Sequence, residues 1–259
     1  MNRSKFVLFR LFRRWLSPVV DPVSALRGLL AYPRFFADWQ RYVAIPGAEL
    51  LHLTDIFPQL HDRSSTTAID THYFYVNNWA MRRITSQHSV GHVDIGSQTI
   101  FASLLSAVMP VMFVDYRPLQ SNLDGLGCLG ADILRLPFGD DSLESLSCLH
   151  VAEHIGLGRY GDPLNPQGTR QAAQELKRVL ARGGNLYFAL PVGKSRVCFN
   201  AHRIHAPETI VEYFSELELV ELSGVHDDGR FVEGVGPDEF RESEYACGMF
   251  WFRKLEGTV

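Results

Sequence analysis

From residue 91 onward the sequence alternates between short apolar segments and segments with helical spacing, and this alternation constrains the fold more than any other feature. HVDIG (92–96) and VMFVD (111–115) are typical of buried strands, and TIFASLLSAV (99–108) between them has the spacing of a helix. Parallel strands that are joined by helices form a sheet covered on both faces. We therefore predict an α/β fold with a doubly wound, mostly parallel sheet.

The same pattern continues to the C-terminal end of the chain. No helical segment separates the last two apolar segments, and their connection is polar and contains glycines, which predicts an antiparallel last strand. The prediction is a sheet of seven strands. Its further elements are strands at 128–134, 142–151, 185–192, 217–225 and 245–254 and helices at 169–184 and 207–216.

The N-terminal part has a different character, and we predict a basic, aromatic, helical extension at residues 1–85 that precedes the α/β domain at residues 86–259. Prolines interrupt its first 70 residues repeatedly, which favours short helices and loops. The segment DTHYFYVNNWAMRRI (70–84) is expected to form a helix. Its aromatic side chains are more typical of a core, although they are also able to stack on a sugar ring.

Charge is distributed unevenly along the chain. Residues 1–45 carry eight Lys and Arg against two acids, whereas the whole chain has a net charge of −4. The remainder is therefore acidic, which argues against general nucleic-acid binding. A helix in residues 1–20 would carry Leu8, Phe12 and Trp15 on one face. It would either lie on an anionic membrane surface or pack on its own domain.

The cellular location is expected to be cytoplasmic, with peripheral membrane contact as a further option. Arginines interrupt the apolar run of residues 1–20 too often for a secretory signal or a membrane span. The four cysteines form no C-x-x-C pair, which favours a reduced, intracellular protein with buried thiols. The sequence does not indicate an oligomeric state.

Polar residues follow the predicted strands at the edge where open α/β sheets bind ligands. Gly96 follows Asp94 and permits a tight turn before a helix whose N-terminus would attract an anion. Asp115 ends the second strand, in a position that suits hydrogen bonds to ribose hydroxyls. Asp132 ends the third strand, and the segment from His150 to His154 ends the fourth. This edge is therefore the predicted ligand site.

Two segments carry a resemblance to a known family. ADILRLPFGDDSLESLSCLHVAEHIG (131–156) and ELKRVLARGGNLYFALPVG (175–193) resemble class I S-adenosylmethionine-dependent methyltransferases, in which an E-x-x-R-V-L-x-x-GG motif precedes the fifth strand. HIGLGRYGDP (154–163) and FNAHRIH (199–205) resemble more narrowly an uncharacterised methyltransferase-like group, which is associated with surface-glycan biosynthesis.

The resemblance implies S-adenosylmethionine as cofactor and a methyl transfer to a small polar acceptor, such as a sugar or glycan oxygen. It also implies roles for individual residues. The cofactor would be bound by Asp94, Gly96, Ser97 and Gln98 in the first loop, by Asp115 and Tyr116 at the ribose, by Asp132 and Ile133 at the adenine, and by His150 at the end of the fourth strand.

The first loop departs from the family pattern of three glycines. Gln98 and Ile100 stand where the second and third glycines are expected, at positions where the backbone approaches the ligand and the helix packs on the sheet. Gln98 is compatible with binding if its backbone avoids positive φ and its side chain turns to solvent or bonds the cofactor, and Ile100 if it packs in the core. The alternative is a catalytically inactive methyltransferase-like protein that acts in binding or as a scaffold.

Methyl transfer to oxygen benefits from a base that removes the acceptor's proton. The first candidates are His154, His202 and Glu153, and the further ones are His150, His205, Tyr160 and Asp162. For each histidine the alternative is a helix cap or a contact with the backbone.

The segment from His150 to His154 also reads H-x-x-E-H, a signature of one class of zinc peptidase. That chemistry requires both histidines on one helix. The strand-like residues before His150 and the glycines after His154 disfavour such a helix, so a zinc hydrolase is the remote alternative and no metal is expected.

Overall fold

The computed structural model describes Phe12 and residues 15–256, and its contacts divide the chain into two compact units, with the division between Ile69 and Asp70. The first unit contains helix α1 (Pro22–Val43) and a short 3₁₀ helix (Leu53–Asp55). Most of the helix predicted in residues 1–20 lies outside the described residues. Among the described helices, none combines the length and the hydropathy that a bilayer-spanning segment requires.

The second unit begins with helix α2 (Thr71–Ser86), whose N-terminus is capped by Asp70. Its carboxylate accepts a hydrogen bond from the Tyr73 N–H at 3.3 Å. The buried residues of α2 recur at helical spacing and pack in one core with the sheet residues; they are Val76, Trp79, Ala80 and Ile84. Because a helix with such a buried face contributes to the core, α2 belongs to the second unit, whereas the sequence analysis assigned it to the extension.

Five strands of the second unit run parallel and carry the predicted α/β pattern. Helices α3 (Thr99–Ser106) and α4 (Gly168–Val179) lie between them in the sequence. The strands are β1 (His92–Ile95), β2 (Val111–Asp115), β3 (Leu126–Gly130), β4 (Leu143–Leu149) and β5 (Leu180–Val192).

The C-terminal part completes the sheet with antiparallel strands. Its elements are β6 (Arg196–Cys198), β7 (His202–Ile204), α5 (Pro207–Tyr213), β8 (Glu218–Val225), β9 (Phe231–Val232) and β10 (Ala246–Arg253). A short 3₁₀ helix (Pro237–Phe240) precedes β10. Strand β10 is antiparallel to both β5 and β8, as predicted for the last strand.

The sheet has eight strands in the order β3-β2-β1-β4-β5-β10-β8-β9, and β6 and β7 form a separate hairpin. The predicted doubly wound sheet is confirmed, with two differences: the two-residue strand β9 extends the sheet by one strand beyond the predicted seven, and the hairpin was not predicted. Both involve short segments whose pairing comes from tertiary contacts, so no sustained alternation marks them in the sequence. Strand order reverses between β1 and β4, the point at which open α/β sheets bind ligands.

Two apolar layers cover the sheet, and strand β5 contributes to both. Leu186, Phe188 and Leu190 lie in one layer, whereas Tyr187 and Ala189 lie in the other. Alternate residues of a strand point to opposite faces, so this fully apolar segment is buried on both sides. The sheet therefore has the covered faces that the sequence pattern indicated.

The helix predicted at 169–184 is shorter than expected. Helix α4 ends at Val179, and the next residue, Leu180, pairs with Leu143 of β4. Gly183, at φ +75°, lies within the irregular first part of β5. Tertiary pairing of an apolar residue thus overrides the local helical pattern.

Candidate functional site

A cleft lies at the carboxyl ends of β1 to β4, where the sequence analysis predicted the ligand site. Its volume is about 160 Å³, and about 920 Å³ when the adjoining open solvent is included. Of the predicted cofactor residues and the first acid–base candidates, seven line it: Gly96, Asp115, Tyr116, Asp132, Ile133, His150 and His154. The other five in these two groups do not line it: Asp94, Ser97, Gln98, Glu153 and His202.

The buried side chain of Asp94 stabilises the turn after β1. Its carboxylate is fully buried and accepts hydrogen bonds from the N–H of Ser97 at 3.2 Å, from the Ser97 hydroxyl at 2.6 Å and from the Ser147 hydroxyl. Burial raises the pKa of Asp94 to about 6, although the hydrogen bonds from Ser147 and Ser97 lower it. Asp94 and Ser97 therefore shape the turn, and neither forms the wall of the cleft.

Gly96 is the one loop position that requires glycine. Its φ is +65°, and a Cβ there would lie 3.3 Å from Val151 Cγ1 and 3.4 Å from Asp115 Oδ2. A side chain would be strained and would press on two residues that line the cleft. The backbone at Gly96 thus leaves open space that any larger residue would reduce.

The two residues that replace the expected glycines do not fill the cleft. Gln98 has φ −60°, which any residue adopts, and its Oε1 accepts a hydrogen bond from Asn77 Nδ2 at 3.0 Å. Ile100 is 56% exposed on α3, so the expectation that it packs in the core is wrong. The departures from the glycine pattern are therefore directed away from the cleft.

Two carboxylates are presented in the same way at the ends of β2 and β3. Asp115 Oδ1 accepts the N–H of Arg117 at 2.7 Å, and Asp132 Oδ1 accepts the N–H of Leu134 at 2.9 Å. Each bond spans two residues, which fixes the orientation of the carboxylate. Among the described residues no hydrogen bond reaches the second oxygen of either one, so both remain available to a ligand. Ile133 adds an apolar wall beside Asp132.

Two of the acid–base candidates, His150 and His154, contact the buried carboxylate of a third, Glu153. Glu153 is 1% exposed, and its Oε1 lies 3.2 Å from His150 Nδ1 and 3.6 Å from His154 Nε2. The Nδ1 of His154 donates to the carbonyl of Ala201 at 2.6 Å. Burial would raise the pKa of Glu153, but the two histidines hold it below its usual value. Glu153 therefore orients both rings and does not itself line the cleft.

Each ring nitrogen of His150 contacts a buried side chain. Its backbone has φ +58°, directly after the end of β4, and its Nε2 lies 3.3 Å from Cys247 Sγ on β10. Burial alone would lower the pKa of His150, but Cys247 and Glu153 raise it to about 10. No sequence signal indicated Cys247, because the two residues become neighbours only through the strand order β4-β5-β10.

His202 and His205 lie outside the cleft lining. The ring of His202 packs on Tyr245 with 5.0 Å between ring centroids, and burial lowers its pKa. Burial also lowers the pKa of His205, to about 4, and its Nε2 has no hydrogen-bond partner in the part of the chain that the structure describes. The histidine that borders the cleft among the first candidates is therefore His154.

The segment after the short 3₁₀ helix Ala152–His154 forms the opposite wall of the cleft. Tyr160 and Asp162, both further candidates, line it, and so does Arg117, which sequence reasoning missed. The guanidinium of Arg117 lies 4.5 Å from the centre of the Tyr160 ring. This cation–π contact joins the end of β2 to the wall across the cleft.

The E-x-x-R motif has a structural part in the site. Glu175 Oε1 accepts the N–H of Leu136 at 2.7 Å, and Arg178 donates to the carbonyls of Leu136 at 3.1 Å and Phe138 at 2.9 Å. The two side chains also bond each other at 2.6 Å. They thus fix the segment that follows Asp132 and Ile133.

The H-x-x-E-H segment does not form the helix that a zinc peptidase of that class requires. His150 follows a strand, whereas His154 ends a 3₁₀ helix of three residues. Both rings contact the same carboxylate oxygen, Glu153 Oε1. This geometry gives the zinc hydrolase interpretation no support.

A family model described as Caenorhabditis protein of unknown function, DUF268, matches residues 134–228. The matched part runs from the segment after Asp132 to the end of β8 and includes the residues around Glu153. No curated protein matches the chain.

Solved structures of similar fold cover most of the chain. NodS, an N-methyltransferase from Bradyrhizobium japonicum in complex with S-adenosyl-L-homocysteine, is 15% identical with a TM-score of 0.52, over 85% of this chain and 98% of that one. YcgJ from Bacillus subtilis is 12% identical with a TM-score of 0.50, over 71% of this chain and all of that one. The [4+2]-cyclase SpnF is 15% identical with a TM-score of 0.53, over 71% and 81%.

These likenesses concern the fold. The chain has the Rossmann-like fold of class I S-adenosylmethionine-dependent methyltransferases, as its sequence resemblance implied. Because the same fold occurs in a [4+2]-cyclase, the reaction has to be argued from the site.

Proposed function

We propose that this protein is a methyltransferase that uses S-adenosylmethionine and acts on a small polar acceptor. The observation that carries the proposal is the open cleft at the strand ends. Gly96 leaves room there beside Asp115, and Gln98 and Ile100, which stand at the expected glycine positions, do not fill the space. The methyltransferase fold and the solved complex of NodS with S-adenosyl-L-homocysteine support the choice of cofactor.

The residues of the cleft fit an adenosyl group. The second oxygen of Asp115 is available for ribose hydroxyls, since the first is held by the N–H of Arg117. Asp132 offers the same arrangement for a hydrogen-bond donor on adenine, and Ile133 gives an apolar surface against its ring. Because Gly96 has no Cβ, the turn after β1 leaves space for the ligand beside Asp115 Oδ2.

The bound cofactor would supply a methyl group on a sulfonium for in-line displacement. The protein's own residues would align the acceptor and exclude water, which are the main demands of such a displacement. Tyr160, Asp162 and His154 give the far wall of the cleft polar groups for this task. They favour a hydroxyl-bearing acceptor, such as a sugar, and His154 is the candidate base among the first three that lines the cleft.

Titration calorimetry with S-adenosyl-L-homocysteine tests the cofactor assignment. We expect binding to the unaltered chain and a loss of about 1.5–3 kcal/mol in Asp115→Ala, the scale for a hydrogen bond to a charged group. Asp124→Ala is the matched control, because Asp124 is exposed and lies outside the cleft. Absence of binding at millimolar ligand would contradict the proposal and favour an inactive binding or scaffold protein.

The acceptor class needs a separate measurement. Release of S-adenosyl-L-homocysteine would be followed with a panel of free sugars and nucleotide sugars, each paired with the deoxy compound that lacks one hydroxyl, and with a set of small amines. Turnover with a sugar and its loss with one deoxy partner would support an oxygen acceptor. Turnover with amines alone would contradict it.

A further inference from the structure

Three side chains that are distant in the sequence meet beside the cleft. His72 lies in the first turn of α2, His150 follows β4, and Cys247 lies on β10. One ligand atom from each lies within 4.8 Å of the other two. We call this group the His72–His150–Cys247 cluster.

We propose that the His72–His150–Cys247 cluster is a zinc site. Two imidazole nitrogens and one cysteine sulfur are ligands that Zn²⁺ prefers. Mg²⁺ and Ca²⁺ prefer oxygen ligands instead. The cluster shares His150 with the H-x-x-E-H segment but not His154, so it is a different site from the one that this segment suggests.

The distance between the ligand atoms of His150 and Cys247 suits a zinc ion, and the ligand atom of His72 lies within 4.8 Å of both. His150 Nε2 and Cys247 Sγ are 3.3 Å apart. With bonds of about 2.0–2.1 Å to nitrogen and about 2.3 Å to sulfur, a tetrahedral ion separates these two ligand atoms by about 3.5 Å. A small adjustment of two side chains is therefore enough for both atoms to bind one ion.

The second nitrogen of His150 has the partner that zinc-bound histidines typically have. His150 Nδ1 lies 3.2 Å from Glu153 Oε1, and Glu153 is 1% exposed. A carboxylate in this position fixes the ring and the tautomer, and it directs the lone pair of the other nitrogen to the metal. Here that other nitrogen is Nε2, which faces Cys247.

Charge also favours a cation at this place. Among the described residues Glu153 Oε2 is a buried oxygen without a hydrogen-bond partner. A buried carboxylate requires compensation, because charge is costly away from water. A divalent ion bound to His150, whose ring contacts Glu153, would supply the opposite charge.

The cluster offers three protein ligands, which leaves one tetrahedral position open. Zinc sites with an open position are typical of catalysis, since the ion lowers the pKa of an oxygen bound there. His150 lines the cleft, so the ion would border the space that the acceptor uses. This last step rests on the proposed function, whereas the zinc site itself does not.

Metal analysis of the full chain, purified without a histidine tag and dialysed against zinc and then against buffer, tests the proposal. We expect about one zinc ion per chain, lost in Cys247→Ala and in His72→Gln. Cys148→Ala is the matched control, because Cys148 is a free cysteine that is equally buried and lies outside the cluster. His72 is only partly buried, which keeps the second variant informative if Cys247→Ala fails to fold.

Cobalt gives a direct reading of the ligands. The Co²⁺-loaded chain should show thiolate-to-metal charge-transfer absorption, which Cys247→Ala removes and Cys148→Ala retains. Glu153→Gln should weaken zinc binding by about 10–100-fold, the usual effect of removing an outer partner. No zinc and no charge-transfer band in the unaltered chain would overturn the proposal, and so would full zinc retention in both cluster variants. Calorimetry with S-adenosyl-L-homocysteine reads the proposed function separately.

Discussion

Gln98 Oε1 accepts a hydrogen bond from Asn77 Nδ2 at 3.0 Å, and this contact joins the loop after β1 to helix α2. It explains how the loop functions without its second glycine. The backbone of Gln98 does not need the conformation that favours glycine, and its side chain bonds a neighbouring helix outside the cleft. Gln98 thus changes the sequence of the loop without filling the cleft.

The first prediction concerns these two departures. Gln98→Ala should lower the free energy of unfolding by about 1 kcal/mol, since Asn77 loses its partner. Ile100→Ala should change stability little, because Ile100 is exposed. In both variants the affinity for S-adenosyl-L-homocysteine should stay within about threefold, which corresponds to less than 1 kcal/mol. An increase of more than tenfold in Gln98→Gly, measured by calorimetry, would mean that the side chain obstructs the ligand.

Gly96→Ala is expected to damage both fold and site. A non-glycine residue at φ +65° costs about 1–3 kcal/mol, and the new Cβ would also press on Val151 and Asp115. We predict at least a tenfold weaker binding of S-adenosyl-L-homocysteine. Gly234→Ala is the control, because Gly234 has φ +63° but open space around it. Urea unfolding measures the backbone strain, which both variants should show. Calorimetry with S-adenosyl-L-homocysteine measures obstruction of the cleft, which only Gly96→Ala should show.

The buried carboxylate of Asp94 should give a pH dependence to stability. Its pKa is raised from 3.8 to about 6, so the unfolded chain releases this proton at a lower pH than the folded protein does. Between about pH 4 and pH 6 the free energy of unfolding therefore falls by about 3 kcal/mol on account of Asp94, and it remains lower at higher pH.

Asp94→Asn removes this titration. The free energy of unfolding of the variant minus that of the original chain should rise by about 3 kcal/mol from pH 4 to pH 7. The hydrogen bonds lost in the variant shift this difference by an amount that does not depend on pH. Urea unfolding at a series of pH values measures the difference. Parallel profiles for the two proteins would show that Asp94 does not carry the raised pKa.

Glu175→Ala tests the structural part of the E-x-x-R motif. The variant leaves the N–H of the buried Leu136 without its acceptor and should lower the free energy of unfolding by about 1–3 kcal/mol. Glu144→Ala, an exposed glutamate outside these contacts, should change it by less than about 0.5 kcal/mol. Equal stabilities of the two variants in urea would show that Glu175 does not hold the segment.

The sheet could be predicted from the sequence because several of its strands are mostly apolar and its helices are periodic. NLYFALPV is buried on both faces and VMFVD is buried except at Met112 and in part at Asp115, and a pattern of this kind leaves few alternative folds. Boundaries were less accurate where tertiary pairing competes with local preference, as at Leu180. Helix α2 was predicted, but its place in the core depended on contacts with strands far along the chain.

The site was predictable where it follows strand ends and less so elsewhere. Asp115, Asp132 and Gly96 line the cleft because the ends of parallel strands share one edge. Asp94 matched the family's first loop and Gln98 departed from it, and both were predicted to bind the cofactor. Their side chains point instead to a serine pair and to Asn77. Cys247 could not be found at all, since its proximity to His150 depends on the position of β10 between β5 and β8.

A crystal structure with S-adenosyl-L-homocysteine tests the central claim most directly. We predict the ligand in the cleft, with the ribose hydroxyls within hydrogen-bond distance of Asp115 and the adenine ring against Ile133. A structure in which protein side chains occupy this space, or in which the ligand binds elsewhere, would contradict the account.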